Sequence, residues 1–325
     1  MPLRTCLSLV VGLGLLTATV LWSTGQLSLP GPLARLSVLP VGAMEGAPGR
    51  LGAPLGRDRG REFRDDLLSA IWRDRLVTVT VHVALCDSRK SKVSDPNLGL
   101  VDNPFKNIYW GAMYGLERFF GDQKEWSLVY ADRRRSRSVR LPLRRVVFSR
   151  RVVPGEEWRQ RGVTEPFVIA MLGIAWSGRA AGDAMRATLM DALALQPPRD
   201  IRVGGTMLRF GSKSKLVGYV GYNVLRDDET ILPKPAEAMP PPDPRGVFFI
   251  SPSSEPSVGA TLRRLGLHPL LLTTDQVTPE AYVLYGLTEA LISGRIETGF
   301  SDLAARQYAR YKKMDLQAAR QLFVP

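Results

Sequence analysis

The segment that decides the fold is residues 77–86, Val-Thr-Val-Thr-Val-His-Val-Ala-Leu-Cys. One face of this run is apolar at every second position, and the other face is only mildly polar. A strand with this pattern is buried on both sides, as in a parallel sheet covered by helices. An amphipathic helix is predicted directly before it, at 61–75, from the helical spacing of its apolar residues.

Strands and helices alternate in the rest of the chain. Short apolar strands are predicted at 126–130, 167–176, 216–222, 247–250 and 269–273, and helices at 109–120, 185–193 and 301–323, the last broken near Asp315. A further helix is predicted to have Thr278 as N-cap, Pro279 at its first position and Gly294 just past its end. This order predicts an α/β fold, a three-layer αβα sandwich with a mostly parallel sheet.

The N-terminal region has the composition of an export signal and a tether. Arg4 precedes an uncharged run from Thr5 to Trp22, so residues 1–24 are interpreted as a signal peptide or an N-terminal anchor. Residues 25–60 are rich in Pro, Gly and Ala and are interpreted as a linker, followed by a single domain at 61–325. We therefore expect an exported protein, either periplasmic or anchored to the inner membrane.

The composition excludes several kinds of site. The 325 residues include only two His and two Cys, too few for a multi-His metal site, a zinc ribbon or a disulfide scaffold. We expect neither a cofactor nor a metal. The net charge of +13 comes mainly from Arg, which binds phosphate and carboxylate groups through a bidentate fork.

Candidate site residues follow the predicted parallel strands. Ligands of open parallel sheets bind where the carboxyl ends of the strands meet. The cleft candidates at this edge are Asp87, Ser88, Trp176, Ser177 and Asn223, together with Tyr222 and Ser251. Each is also a common turn residue or core residue, so the prediction concerns the set.

The segments 215–223 and 246–251 carry a family resemblance. Lys-Leu-Val-Gly-Tyr-Val-Gly-Tyr-Asn resembles the strand that ends in the catalytic His of caspase-like cysteine peptidases, of the legumain and metacaspase type, and Gly-Val-Phe-Phe-Ile-Ser resembles the strand that ends in their Cys. The segments 81–87, 109–111 and 218–223 are also similar to an uncharacterised group of bacterial proteins. The resemblance implies a caspase-like fold with both catalytic groups on neighbouring strand ends.

This chain departs from the family at both positions. Tyr222 stands where the family has His, and Ser251 stands where it has Cys. A serine hydroxyl needs an adjacent base, and a tyrosine with a reference pKa of about 10 is protonated at neutral pH. His82 lies roughly 13 Å below the carboxyl edge at about 3.3 Å per residue, and His268 lies at the opposite edge. The resulting hypothesis is a non-catalytic domain that acts as a binding or scaffold module.

Two alternatives stay open from the sequence. The first is an active hydrolase that uses Ser251 or Cys86 with an unidentified base. The second is a protein that binds anionic lipid or cell-envelope polymer through an Arg-rich hairpin or edge strand. A protein partner is also possible for the scaffold hypothesis, whereas nucleic acid is disfavoured because no aromatic residues interleave with the arginines. The arginines of this segment are Arg133, Arg134, Arg135, Arg137, Arg140, Arg144, Arg145, Arg150 and Arg151.

Overall fold

The computed structural model describes residues 58–89, 96–132, 141–232 and 243–325. The predicted signal or anchor, nearly all of the predicted linker and the arginines at 133–140 lie outside these residues. The helices are α1 (Arg59–Asp74), α2 (Leu116–Gly121), α3 (Glu156–Gln160), α4 (Ala181–Ala192), α5 (Ala260–Arg264), α6 (Ala281–Ser293), α7 (Gly299–Lys312) and α8 (Leu316–Gln321). The strands are β1 (Leu76–Ala84), β2 (Ser127–Ala131), β3 (Arg144–Val152), β4 (Phe167–Trp176), β5 (Arg199–Val203), β6 (Thr206–Phe210), β7 (Leu216–Val220), β8 (Gly246–Ile250), β9 (His268–Thr273) and β10 (Phe323–Val324).

The main sheet has eight strands in the order β10-β9-β8-β7-β1-β4-β3-β2. Its central strands β4, β1, β7, β8 and β9 pair in parallel, whereas β2, β3 and β10 pair antiparallel at the two ends. The α/β class is confirmed, but the prediction of a mostly parallel sheet is wrong, because the sheet is mixed. The hairpin of β2 and β3 and the short strand β10 add antiparallel pairs that the helix–strand alternation does not reveal.

Both faces of the sheet are covered, which is compatible with a three-layer sandwich. Val77, Val79, Val81 and Val83 of β1 belong to the core formed with α1, α2, α6 and α7. Ala84 belongs to the core on the other face, formed with α4, α5 and the β5–β6 hairpin. The alternation at 77–86 therefore separates two buried layers, as the strand pattern predicts.

Strand β1 ends two residues before the predicted end, because a side chain replaces the neighbouring strand there. The backbone N–H of Cys86 donates to Asn107 Oδ1, and Asn107 Nδ2 donates to the carbonyl of Cys86, both at 2.9 Å. The side-chain amide of Asn107 thus takes the place of a strand partner and terminates the ladder.

The helix predicted at 109–120 is largely wrong. Only Leu116–Gly121 is helical, since the N–H groups of Trp110, Gly111 and Ala112 all donate to the carbonyl of Asn107 and close turns instead. Gly115 makes these turns possible, because a Cβ there would lie 2.4 Å from the backbone nitrogen of Trp110.

The C-terminal helices follow the sequence more closely. The predicted break at Asp315 is confirmed, since its Oδ1 caps α8 by accepting from the N–H groups of Gln317 and Ala318 at 2.8 and 3.0 Å. Gly294 ends α6 in a left-handed conformation (φ 82°), as predicted. The start of α6 is displaced to Ala281, with Glu280 as N-cap, because the N–H of Ala281 donates to the carbonyl of Tyr114. The helix predicted to reach residue 323 stops at Gln321, because Phe323 pairs with Thr273 of β9.

Candidate active site

The strands that carry the resemblance lie side by side. β7 and β8 are parallel neighbours with Val220 opposite Ile250, so Tyr222 and Ser251 both follow the carboxyl ends of adjacent strands. Gly221 lets β7 come close to β1, since a Cβ at this residue (φ 149°) would lie 2.9 Å from the Cβ of Ala84. Strand β4 lies on one side of β1 and β7 lies on the other, so the strand order reverses direction at β1. This is the kind of switch point where ligand sites of parallel sheets form.

Ser251 is fully buried and lacks the partner that a nucleophile requires. Its side chain has no exposed surface, and its Oγ has no hydrogen-bond partner among the described residues. Its carbonyl accepts a hydrogen bond from Thr273 Oγ1. A serine hydroxyl attacks only when an adjacent base takes its proton, so this arrangement does not activate Ser251.

Tyr222 is oriented toward a carboxylate. Its hydroxyl donates to Asp227 Oδ1 at 3.4 Å, and its ring packs against the core on the α4 and α5 face. Burial and the nearby Asp227 charge raise the pKa of the Tyr222 hydroxyl. Tyr222 therefore stays protonated at neutral pH and does not replace the family's imidazole as a base.

Asn223 joins the loops after β7 and β8. Its Nδ2 donates to the carbonyls of Pro252 and Ser253 at 2.8 and 3.1 Å and to Ser257 Oγ at 2.7 Å, and its Oδ1 accepts from the N–H of Leu225. The side chain is 1% exposed. Its polar atoms are thus used to hold the edge together, which leaves little of the side chain for a ligand.

The residues after β1 are also engaged within the protein. Asp87 is buried, and its carboxylate accepts from Arg89 Nε and Nη2 at 2.9 and 2.7 Å. The N–H of Ser88 donates to the carbonyl of Gly99. Cys86 is 1% exposed, so its sulfur is shielded from substrates in the folded state.

The residues after β4 connect the edge to the interior. Ser177 is buried and donates through Oγ to Asp102 Oδ1 at 2.5 Å. Trp176 Nε1 donates to His82 Nδ1 at 3.1 Å. His82 is thereby tied to the end of the neighbouring strand rather than to Ser251.

His82 is a buried, hydrogen-bonded histidine of a polar network whose other members the sequence did not predict. Its Nε2 lies 2.8 Å from Asp191 Oδ2, and neither side chain is exposed. Because Nδ1 already accepts from Trp176, Nε2 carries the proton and donates to Asp191. Arg199 Nη1 donates to both oxygens of the same carboxylate, at 2.8 and 2.5 Å. The sequence carries one sign of this network, the acidic Asp191 near the end of the helix predicted at 185–193. An acidic residue at such a position is ordinarily solvated, so the sign is weak.

Burial keeps His82 neutral within this network. Burial lowers the pKa of His82 and outweighs the opposing effect of Asp191. For Asp191, burial raises the pKa, but the hydrogen bond from His82 and the bonds and charge of Arg199 prevail and lower it. The stable state is thus a neutral imidazole next to an ionised carboxylate, which is itself paired with a guanidinium.

We expect the free energy of unfolding to decrease as the pH falls from 7 to 5. The pKa of His82 is depressed below its usual value of 6.5 in the folded state, so the unfolded chain binds more protons below that pH. Each such histidine contributes at most about 1.4 kcal/mol per pH unit. The measurement is urea unfolding at a series of pH values, followed by tryptophan fluorescence.

The second histidine, His268, contributes to the same pH dependence of stability. Burial also lowers the pKa of His268, so His82→Gln and His268→Gln should each flatten the pH dependence, and the double variant should flatten it most. A wild-type stability that stays level or rises toward pH 5 would contradict the prediction.

The described arginines of the Arg-rich segment are mostly paired within the protein. β2 and β3 form the predicted hairpin, but β2 is the edge strand and β3 is internal. Arg144 binds Glu117, Arg145 binds Asp132 at 2.8 Å and Arg150 binds Glu289 at 2.8 Å, whereas Arg151 is exposed. Arg144 and Arg145 are therefore not available as a bare anion-binding face. Arg133, Arg134, Arg135, Arg137 and Arg140 lie outside the described residues.

The described ranges contain neither a metal-ligand cluster nor a helix that could span a membrane. In these ranges, no group of three or more His, Cys, Asp and Glu side chains is arranged to hold a metal ion. In the same part of the chain, no helix has both the length and the apolar character needed to cross a bilayer.

The chain was compared with protein families, curated proteins and solved structures. No family model, no curated protein and no solved structure matched this chain.

Proposed function

We propose that this chain is an exported α/β domain of caspase-like topology that has lost peptidase chemistry and acts as a binding or scaffold module. The proposal is supported by the parallel pairing of β7 with β8, which places Tyr222 and Ser251 after the ends of neighbouring strands. The family resemblance requires this arrangement of its two catalytic positions.

The observation that carries the loss of catalysis is the state of Ser251. Its hydroxyl is fully buried and forms no hydrogen bond with any described residue. A catalytic serine needs both a base within hydrogen-bond reach and access to the substrate carbonyl. His82, one of the two histidines of the chain, uses both ring nitrogens for Trp176 and Asp191.

The polar residues at the carboxyl edge of the sheet hold loops and strand ends together, which also supports the proposal. Asn107 holds the end of β1, Asn223 joins the loops after β7 and β8, and Arg89 neutralises Asp87. The side chains of Asn107, Asn223 and Asp87 are already bonded to other groups of the protein. Preorganised but unoccupied donors, which electrostatic catalysis requires, are not formed by these residues.

Covalent labelling tests this proposal. We expect the folded protein to show no stoichiometric labelling of Ser251 by a fluorophosphonate and none of Cys86 by iodoacetamide, with sites mapped by mass spectrometry. Burial of both side chains and the missing base are the physical reasons. Denatured protein should label readily at Cys86, which shows that the thiol reagent works.

Two matched variants separate access from activation. Ser251→Cys replaces the hydroxyl with an intrinsically more reactive thiol, and its slow labelling in the folded state would show that the position is closed. Ser251→Ala provides the blank for the fluorophosphonate. Stoichiometric labelling of wild-type Ser251 or Cys86 would instead favour the hydrolase alternative and overturn the proposal.

A further inference from the structure

A cavity of about 410 Å³ opens at the amino ends of the parallel strands, on the opposite edge from Tyr222 and Ser251. Its wall combines the end of α1, the start of β1, strand β6 and the segments that lead into β7 and β8. The volume falls within the usual range of small-molecule sites, about 300–1,000 Å³. The carboxyl-edge residues already described do not line it.

A buried arginine, Arg245, is one of the residues that line this cavity. Arg245 is 4% exposed, and its Nη1 and Nη2 donate to the carbonyls of Ala192 and Ser212. No described carboxylate lies within ion-pair distance of it; Asp243, Asp66 and Asp191 act on it only through longer-range charge interactions. The two carbonyls satisfy part of the guanidinium, but burial of a cation is costly without an ionised partner, so an anion would stabilise it further.

A second cation at the cavity is also unneutralised. Lys213 is exposed and forms no ion pair with the residues described. The other cations of the wall are already paired: Lys215 with Asp66 at 2.5 Å, Arg73 with Asp74 at 2.8 Å and Arg209 with Asp200 at 3.4 Å. Lys213 and Arg245 thus supply two positive charges outside any ion pair of the described residues, and the one unpaired carboxylate of the lining, Asp243, leaves a net positive charge.

Part of the wall is apolar. Leu76, Pro244 and Ala70 line the cavity, and Met207 beside them is 46% exposed. A fully hydrated inorganic ion would leave this surface uncovered, whereas a small organic anion would bury it. The combination favours a ligand with one oxyanion group and an apolar part.

We propose that this cavity binds an oxyanion, a carboxylate or phosphate group, carried by a small and partly apolar molecule. The oxyanion contacts Arg245 and Lys213, and the apolar part contacts Leu76 and Met207. Arg favours such groups because its planar fork matches their paired oxygens. The inference goes beyond the proposed function, because it concerns the other edge of the sheet and holds whether or not Ser251 is inert.

Calorimetric titration of the full chain with three probes, phenyl phosphate, benzoate and inorganic phosphate, tests the proposal at constant ionic strength. We expect saturable binding of phenyl phosphate or benzoate, and weaker binding of inorganic phosphate. The stronger of the two aromatic probes identifies whether phosphate or carboxylate is preferred. Lys213→Gln should weaken that binding roughly tenfold, the loss of one hydrogen bond to a charged group.

Two further variants complete the test. Arg245→Lys retains the charge but removes the fork, and should also weaken binding, with circular dichroism to verify that it folds. Arg151→Gln removes an exposed arginine on β3 that does not line the cavity, and should leave the affinity unchanged. The proposal is overturned if no probe binds saturably, if Lys213→Gln has no effect, or if Arg151→Gln weakens binding as much as Lys213→Gln does.

Discussion

Replacing Asp191 with alanine is expected to lower the free energy of unfolding by about 3–5 kcal/mol, the usual cost of removing one partner of a buried ion pair. The Asp191 carboxylate is fully buried and accepts hydrogen bonds from His82, Gln196 and Arg199. Without it, the Nε2–H of His82 remains buried with no acceptor, and the Arg199 guanidinium loses its counter-charge. Urea unfolding at pH 7 measures the effect.

The matched control is Asp200→Ala. Asp200 is exposed and pairs with Arg209 at 3.4 Å, and such surface pairs contribute at most about 1 kcal/mol. Asp191→Asn should fall between the two, because the amide retains an acceptor for His82 but loses the charge that Arg199 requires. Equal effects of Asp191→Ala and Asp200→Ala would show that the network contributes nothing specific to stability.

Replacing Gly218 with alanine is the second large expected effect, a destabilisation of about 3 kcal/mol at the upper end of the overpacking range. A Cβ on Gly218 would lie 2.0 Å from the ring of Phe248, which is fully buried. The two residues are register partners in adjacent parallel strands, so the backbone cannot separate without breaking the ladder. Thermal and urea unfolding would measure the loss.

A second substitution identifies the cause. Phe248→Leu removes the ring atoms that the new methyl group would meet, so the double variant Gly218→Ala, Phe248→Leu should be more stable than the sum of the single effects by about 0.5–3 kcal/mol. Gly121→Ala is the neutral control, because nothing lies within 4 Å of its Cβ position. Additive effects of the two substitutions would place the cost elsewhere than in the contact with Phe248.

Local signals predicted many of the elements but not how some of them pair. The apolar runs at 167–176 and 246–250 form β4 and β8 because each is long enough, or β-branched and aromatic enough, to specify a buried strand. The hairpin of β5 and β6 was missed, although Gly204 and Gly205, both at positive φ, form the two-residue turn that such hairpins prefer. The signal was therefore present at these two glycines.

In the candidate site, the sequence predicted where the residues lie but not what their side chains bind. Its positions at the ends of β7 and β8 followed from the apolar runs before them, since parallel strands bring their carboxyl ends together. The bonding of each side chain did not follow, because the partners of Asn223 and His82 lie about 30 and 109 positions away in the chain. The cavity at Arg245 depends likewise on segments that are remote in sequence.

The amino-acid order alone determined that a strand buried on both faces begins near Val77, since one face of the run is apolar at every second position and the other is only mildly polar. Only the tertiary structure decided that the sheet is mixed, that Asp191 meets His82, and that Arg245 is buried without a carboxylate beside it. Periodicity is a property of residues that are neighbours in the chain, so the sequence alone shows it. Strand order and the pairing of buried charges depend on contacts between distant residues, which exist only once the layers have packed.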